Sequence, residues 1–312
     1  MVYSFSMILG YLLAAVTVII WGITFVCTKD LLQNFSALEI LFVRFIVAYV
    51  GLWIMHPRFE KIKSKDNILF AFAGLTGVVL YQFSENIALN FTTASNVSII
   101  VSICPLFTAI IAQIFLKEKH ITPYFILGFL ISITGIALVS FNGKADFSIN
   151  PKGDLLALLA GVCWGFYSLF VSMINKKNYN LLGSTRRIFF FAVIFMIPLV
   201  LIGNKITFFT NNQDMINSMS VSFNKITNAK RFSDIMNIVN LLFLGLLASG
   251  FCFSAWNKAC KIVGTVKISF GIYLIPVVTI IFAFFTLNEH LSLMGIIGTF
   301  LTIFGLFVSN KK

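Results

Sequence analysis

The sequence predicts an all-α integral membrane protein in which ten transmembrane helices form two inverted five-helix repeats around a central cavity. Three observations support this prediction: an apolar composition, ten long apolar runs and one internal repeat. Of the 312 residues, 59% are hydrophobic and only 11% are charged, and the mean hydropathy is +0.95. Because a soluble domain is normally about 25% charged, this composition excludes a soluble enzyme.

The ten apolar runs are continuous and about 20 residues long, which is the length that a helix needs to cross roughly 30 Å of hydrocarbon. The strands of a membrane barrel would instead alternate apolar and polar residues. The predicted spans cover residues 8–28, 38–55, 68–88, 94–116, 123–141, 154–174, 184–202, 236–257, 265–287 and 292–309. They leave too few residues for a separate soluble domain.

The net charge of +12 is concentrated in short loops and does not indicate a nucleic-acid-binding surface. If the spans alternate in direction, the short loops and tail on one side carry twelve basic residues, whereas those on the other carry only Lys29, Lys144 and Lys152. Short basic loops stay in the cytoplasm, so both termini are predicted to be cytoplasmic. A bacterial inner membrane is the predicted location.

Rare residues recur at a constant shift along the chain. A shift of 143 positions pairs Trp21 with Trp164 and Arg44 with Arg187; from residue 74 onward, a shift of 171 pairs Asn86 with Asn257, Pro105 with Pro276 and Glu118 with Glu289. The difference between the two shifts, 28 residues, falls in the polar stretch 203–235. That stretch is predicted to be an extracytoplasmic loop.

The two repeats are residues 1–145 and 146–312. Because each contains five spans, an odd number, the second repeat must enter the membrane in the opposite direction to the first. Inverted repeats are typical of secondary carriers, which hold their substrate near the midplane between the two halves. The repeat therefore favours a carrier over a membrane enzyme or a channel.

Several short motifs resemble those of EamA-type carriers in the drug/metabolite transporter superfamily. They are Trp21-Gly22 with Phe25 and Lys29, Glu39-x4-Arg44-Phe45, Thr93-Ala94-Ser95 through Pro105 to Leu116-Lys117-Glu118, and in the second half Ile275-Pro276-Val277 and Leu287-Asn288-Glu289-His290. The resemblance covers nearly the whole chain except 203–235. It implies ten helices around a central cavity, alternating access and a small-molecule substrate such as an amino acid, another metabolite or a drug.

One difference from the superfamily concerns the first span. The small four-helix multidrug carriers keep a carboxylate in their first helix, whereas residues 8–28 contain none. This argues against proton-coupled cation exchange of that type.

Charged residues within a span are costly, at least about 2.5–3.5 kcal/mol at the centre of the bilayer. Arg44 and Arg187 are interpreted either as anchors for an anionic group at the mouth of the cavity or as structural residues that reach toward lipid head groups. Glu85 is predicted to pair with Arg44, since neither charge is stable alone in a low dielectric. The alternative is that Glu85 binds an amine of the substrate. Arg187 is predicted to lie near Trp256, where a cation–π contact would form.

Aromatic and polar side chains complete the predicted cavity lining. Trp21 and Trp164 either line the cavity or pack between helices, and tyrosine hydroxyls offer polar contacts on apolar walls. The full set of candidate cavity residues is Trp21, Arg44, Tyr81, Gln82, Glu85, Asn86, Trp164, Tyr167, Arg187, Trp256, Asn257 and Tyr273. Such a lining favours amphipathic or aromatic metabolites.

Pro105 and Pro276 lie within spans four and nine, where proline removes one backbone hydrogen bond and bends the helix. They are interpreted either as hinges for the transport movement or as static bends. Glu118 and Glu289 close the same two spans and are predicted to be interfacial.

No catalytic residues, metal site or cofactor are predicted, because the sequence contains no nucleotide-binding loop, no metal-ligand spacing and no Ser/His/Asp set placed at the same depth in the membrane. The five cysteines are interpreted as small apolar core residues. The predicted partners are a small-molecule substrate and membrane lipids, without nucleic acid or ATP, for a monomer with a dimer as the alternative. A receptor or scaffold and a membrane-embedded enzyme remain alternative functions, and deletion of 205–232 is expected to spare a pure carrier.

Overall fold

The computed structural model describes residues 2–117, 121–141, 151–205, 213–221, 230–290 and 292–309. Within these ranges every regular element is helical. Glu118, predicted to be interfacial, lies outside the described residues. The long helices are α1 Val2–Leu31, α2 Ala37–Met55, α3 Ser64–Phe91, α4 Ala94–Leu116, α5 Pro123–Phe141, α6 Pro151–Asn175, α7 Leu181–Gly203, α8 Ile235–Val263, α9 Thr265–Leu287 and α10 Leu293–Ser309.

Eight of these helices are long and apolar enough to cross a membrane, and α5 and α10 are shorter apolar helices. The predicted all-helical membrane architecture is therefore confirmed. Each of the ten predicted spans coincides with one of the ten long helices within a few residues. That α5 and α10 also span the membrane, and that the two repeats are inverted, stay predictions.

Polar residues in the short connections determine where helices begin. Ser36 and Glu39 form a capping box before α2, in which each side chain accepts a hydrogen bond from the other residue's backbone N–H. Thr93 caps α4 and Asn180 caps α7 in the same way with one side-chain acceptor. These caps satisfy the backbone N–H groups that the first turn of a helix leaves without partners.

Four long helices are irregular at the level of the bundle centre. α3 contains a π-helical segment at Leu75–Leu80, and α8 contains one at Phe243–Phe251. A shift of 171 carries residues 75–80 onto 246–251, so the second segment contains the positions that the sequence repeat relates to the first. α4 is interrupted at residues 102–103, and α9 contains a 3₁₀ turn at Phe270–Leu274.

Pro105 and Pro276 follow directly after these interruptions, in the first turn of the helical segments Cys104–Leu116 and Ile275–Leu287. Proline is well tolerated there because its missing N–H would have no intrahelical partner. The prolines therefore restart two helices and do not break continuous ones.

Glycines allow the closest contacts between helices. A Cβ added at Gly128 would lie 2.3 Å from the carbonyl oxygen of Gly305, so α5 and α10 pack backbone against backbone. Ser132 also donates a hydrogen bond from α5 to the carbonyl of Thr302 at 3.2 Å. Small residues and side-chain hydrogen bonds at such contacts are the usual means of holding membrane helices together.

Two ends of the bundle are distinguished below. The upper end is the one where α1 finishes at Leu31, and the lower end is the one where α6 finishes at Asn175. The described part of the stretch 203–235 lies at the upper end and includes a short helix at Gln213–Met219 and a 3₁₀ turn at Lys230–Phe232. It contains no span, as predicted.

Candidate functional site

A small polar cavity lies between the helices at the centre of the bundle. Six helices contribute its lining: Trp21, Thr24 and Phe25 from α1, Arg44 from α2, Tyr81, Gln82 and Glu85 from α3, Cys104 from α4, Trp164 from α6, and Ile272 and Ile275 from α9. Its volume is about 20 Å³, which is room for about one water molecule. The cavity is therefore closed around its polar groups.

Arg44 is the most deeply buried charged side chain in this lining, with 1% exposure. Its Nε donates to Oγ of Ser249 at 2.6 Å, and its Nη1 donates to Oε1 of Gln82 at 2.7 Å. Among the described residues it makes no ion pair within 4 Å. The predicted direct pair with Glu85 is thus wrong, because Gln82, one turn earlier on α3, occupies the position.

Glu85 lies in the same cavity and is 3% exposed. The hydroxyl of Tyr81, one turn earlier on α3, interacts with its carboxylate. The charges of Glu85 and Arg44 interact electrostatically across the cavity without direct contact. The site therefore contains one buried guanidinium and one buried carboxyl group facing a shared space.

Tryptophan rings form the wall beside these charges. The ring centroids of Trp21 and Trp164 are 5.3 Å apart in an edge-to-face arrangement, and Tyr81 lies 4.9 Å from Trp164. The indole N–H of Trp21 donates to the carbonyl of Ala248 at 2.9 Å. The indole nitrogen of Trp164 is buried and has no hydrogen-bond partner among the described residues. Both tryptophans are among the residues that line the cavity.

Other predicted residues lie outside the lining and have structural contacts. Asn86 donates to the carbonyl of Ala37 at 3.2 Å, so it ties α3 to the start of α2. Asn257 accepts a hydrogen bond from the hydroxyl of Tyr167 at 3.0 Å and donates to Oγ1 of Thr185 at 3.3 Å.

The two remaining aromatic candidates are also core residues. Trp256 packs behind the lining at 5.0 Å from the ring of Trp21. Tyr273 belongs to a separate buried cluster with Ile103 and Leu106.

Arg187 lies away from the cavity, and its predicted contact with Trp256 is wrong. Its Nε donates to Oδ1 of Asn67 at 3.0 Å, and its guanidinium lies over the rings of Phe190 and Phe191. The helix turns this side chain toward α3 and not toward α8.

The more deeply buried arginine of this helix is Arg186, which the sequence reasoning did not single out. It lies 3.7 Å over the ring of Trp53 and donates to the carbonyls of His56 and Arg58. When two arginines are adjacent in a single sequence, no pattern shows which of the two side chains points into the bundle.

Several residues in or beside the candidate site were not predicted. Ser249 contacts Arg44 from the π-helical segment of α8, where the wider turn changes which residues face inward. Thr24 and Phe25 lie one turn after Trp21 on the same face of α1, and Cys104 precedes Pro105. Helical spacing from Trp21 would have found Thr24 and Phe25, but no pattern in the sequence indicates the π-helical turn.

A larger cleft opens toward the lower end and has a volume of about 430 Å³. The residues that line it come mainly from α4, α6, α8 and α9, and they include Thr108, Ser168, Asn175, Lys176, Cys260, Lys261, Thr265 and Lys267. Thr108 and Ser168 follow the cavity residues Cys104 and Trp164 by one helical turn each. The cleft and the central cavity are therefore separated by a single turn of α4 and α6.

α4 and α6 pack closely here, with Phe107 and Ile111 against Gly165, but the hydrogen bond between the two turns is long. Oγ1 of Thr108 donates to Oγ of Ser168 at 3.3 Å, which is longer than an ordinary hydroxyl hydrogen bond. In the part of the chain that the structure describes, no three His, Cys, Asp or Glu side chains are placed to hold a metal ion, and the five cysteines are free thiols. The arrangement offers polar groups that can bind a small molecule.

Comparison with known proteins identifies the type of protein. The sequence profile of the EamA-like transporter family matches residues 8–141 and 151–311. An uncharacterized transporter of Archaeoglobus fulgidus is 28% identical over 308 residues, which cover 97% of each chain.

Two further relatives have names that describe what they transport. A probable terminal-alkyne amino-acid exporter of Streptantibioticus cattleyicolor is 23% identical, with 95% of this chain and 91% of the relative aligned. A probable amino-acid metabolite efflux pump of Escherichia coli is 25% identical, with 95% and 93% aligned. A solved crystal structure with 13% identity superposes with a TM-score of 0.63 over 96% of each chain, which shows a shared fold.

Proposed function

Since the chain belongs to the EamA-like transporter family, we propose that it is a secondary active transporter that moves small organic metabolites across a membrane by alternating access. Amino acids and related amphipathic compounds are the proposed substrates. The names of two relatives, an amino-acid exporter and an amino-acid metabolite efflux pump, support this substrate class and favour export.

One observation carries the proposal: a buried polar site at the centre of the bundle is separated from an open cleft by one helical turn. The site holds Arg44 and Glu85, and the cleft begins at Thr108 and Ser168. A carrier needs a central site that is accessible from one side at a time. We therefore assign this form to a state that is closed at the upper end and partly open at the lower end.

The proposed orientation follows from the basic loops. The lower end carries Lys176, Lys261 and Lys267 around the cleft, and basic residues mark the cytoplasmic side. Both termini are then cytoplasmic, all ten long helices span the membrane, and the two five-helix repeats are inverted. An exporter would load its substrate from this cytoplasmic cleft. The membrane is proposed to be a bacterial inner membrane.

The two prolines fit this mechanism as hinge candidates. α4 and α9 each run from the upper end to the cleft, and each is interrupted just before Pro105 or Pro276 at the level of the cavity. Bending there would widen the site without unfolding either helix. A monomer contains all the residues of the site.

Counterflow in liposomes tests the proposed function. Purified protein is reconstituted with an internal pool of unlabelled amino acids and metabolites, and labelled compounds are offered outside one at a time. We expect transient accumulation of at least one compound, abolished by an excess of the same unlabelled compound. Liposomes without protein are the control. Folded protein that accumulates no compound of the amino-acid and metabolite panel would contradict the proposal.

A further inference from the structure

We propose that the transported substrate is a zwitterion, an α-amino acid or close relative with an apolar side chain, whose carboxylate binds Arg44 and whose ammonium group binds Glu85. This inference rests on the proposed function and specifies its substrate class. It is carried by three buried polar groups that converge on the central cavity and whose bonding capacity is not filled by the protein.

The first group is the guanidinium of Arg44. It has five N–H donors, of which Nε and Nη1 use one each for Ser249 and Gln82. The described residues provide no acceptor for Nη2. The side chain is 1% exposed, so bulk water does not solvate it, and a buried cation that has no direct contact with an anion is strongly disfavoured. A carboxylate supplies both the negative charge and the geometry that a guanidinium binds best.

The second group is the carboxylate of Glu85. It makes no ion pair with a described basic residue, and its neighbour Tyr81 offers a hydroxyl and no charge. A buried anion is as unfavourable without a partner as a buried cation. An ammonium group supplies a positive charge and three donors.

The third group belongs to Trp164, a residue of the lining whose buried indole N–H has no hydrogen-bond acceptor among the described residues. A donor and a guanidinium in one lining suit the two oxygens of one carboxylate. The carboxylate end of the substrate is therefore assigned to the space between Arg44 and Trp164.

The apolar part of the lining indicates which kind of side chain the substrate carries. Among the described residues of the lining, only Arg44 and Glu85 are charged, so this lining carries no net charge when both are ionised. Phe25, Ile272 and Ile275 complete an apolar surface beside the tryptophans. An α-amino acid with an apolar side chain matches this surface, whereas an additional side-chain charge would remain without a partner. At about 20 Å³ the cavity must widen to admit it.

The first test uses the wild-type protein and three compounds of almost the same shape. Labelled phenylalanine is the counterflow substrate, and the competitors are unlabelled phenylalanine, 3-phenylpropionate (no ammonium group) and 2-phenylethylamine (no carboxylate). Losing a hydrogen-bonded charge costs about 1.5–3 kcal/mol, so each analogue should need at least about tenfold higher concentration for half-inhibition. Equal inhibition by phenylalanine and by either analogue would overturn the assignment.

The second test assigns each charge to its residue. Glu85→Gln should abolish the preference for phenylalanine over 3-phenylpropionate and keep the preference over 2-phenylethylamine, and Arg44→Gln should do the reverse. Glu60→Gln and Arg187→Gln are matched controls at the lower end and should keep both preferences. If Arg44 or Glu85 has a merely structural role, replacing it should weaken the binding of all three compounds by the same factor. That result would refute the assignment.

If the variants fail to fold, the analogue series on the wild-type protein becomes the deciding measurement. Transport of a neutral or singly charged compound without transport of any α-amino acid would refute the zwitterion assignment and leave the carrier function standing. Absence of transport for every compound of the panel would instead contradict the proposed function itself.

Discussion

The upper and lower ends of α4 are held by different contacts. At the upper end Glu289, which follows α9, accepts hydrogen bonds from the backbone N–H groups of Ala94 and Ser95 at 2.9 and 3.0 Å and from Oγ of Ser95 at 2.7 Å. It thereby caps α4 from the opposite half of the chain. At the lower end α4 packs against α6 beside the open cleft, through Phe107 and Ile111 against Gly165 and a long hydrogen bond between Thr108 and Ser168.

Lys29 adds a second contact at the upper end. Its Nζ donates to the carbonyls of Leu89 and Thr92, the latter at 2.9 Å, and so binds the end of α3 to α1. Charged side chains here satisfy helix ends that would otherwise lack partners. The comparison teaches that closure of this bundle depends on a few charged contacts to helix termini and not on apolar packing alone.

A third upper contact joins the polar stretch 203–235 to α2. Arg231 donates from Nη1 and Nη2 to the two carboxylate oxygens of Glu39, both at 2.9 Å, and lies 4.4 Å over the ring of Phe35. The side chains are 10% and 2% exposed. This stretch therefore acts as a strap, defined as residues 230–232, that holds the connection between α1 and α2.

Breaking the contact between the strap and α2 should have the largest effect on stability, and the effect on hydrogen exchange should be confined to the upper end. Arg231→Ala removes the guanidinium that pairs with the buried carboxylate of Glu39, and removal of one partner of a buried pair costs about 3–5 kcal/mol. We expect a clearly lower unfolding temperature in detergent and faster hydrogen exchange in residues 30–40. Exchange at the lower end should not change.

Replacing both partners provides the control. Arg231→Met combined with Glu39→Met removes the uncompensated charge and should recover most of the stability that either single change loses. Lys152→Ala, at the exposed pair with Asp214, should cost no more than about 1 kcal/mol. A wild-type unfolding temperature for Arg231→Ala would show that the strap does not stabilise the upper end.

The strap also revises one expectation from the sequence. Deletion of 205–232 was expected to spare a pure carrier, but the deleted segment contains Arg231. The deletion should therefore destabilise the upper end to the same degree as Arg231→Ala. A deletion that ends at 229 is the version expected to be tolerated.

The second prediction concerns the cap on α4. Glu289→Gln keeps the shape of the side chain but removes its charge and one strong acceptor, and hydrogen bonds to charged groups contribute about 1.5–3 kcal/mol. We expect hydrogen exchange of the amides of Ala94 and Ser95 to increase by about tenfold or more. Glu60→Gln, at the lower end, is the matched control. Unchanged exchange at these amides would contradict a role of Glu289 in closing the upper end.

Much of the fold could be predicted from the sequence because apolar run length alone determines which segments suit a bilayer. All ten predicted spans coincide with helices, and the shift of 171 residues correctly relates the prolines of α4 and α9. The irregular turns were not predictable. A π-helical turn such as Leu75–Leu80 depends on packing between helices, which leaves no periodic signal in the sequence.

The sequence was sufficient to select the buried charged residues of the candidate site, but not to predict which neighbours they contact. A charge within an apolar run is conspicuous, so Arg44 and Glu85 could be selected as buried and functional residues. Which neighbour each contacts depends on the rotation of the helices, and this placed Gln82 and Ser249 against Arg44. The same uncertainty of rotation led to the selection of Arg187, whereas Arg186 is the more deeply buried arginine of α7.

The third and smallest expected effect on stability tests how the two ends are linked. α4 carries the Glu289 cap at its upper end and the cleft residue Thr108 at its lower end, and it is interrupted just before Pro105. Since Pro105 occupies a first turn, Pro105→Ala should change stability by less than about 1 kcal/mol. If the interruption lets the two segments of α4 move separately, alanine should join them and lower the counterflow rate severalfold. Pro198→Ala in the interior of α7 is the control and should keep that rate. An unchanged rate in Pro105→Ala would identify the bend as static, and opening of the cleft would then have to occur by rigid movement of whole helices against the upper contacts.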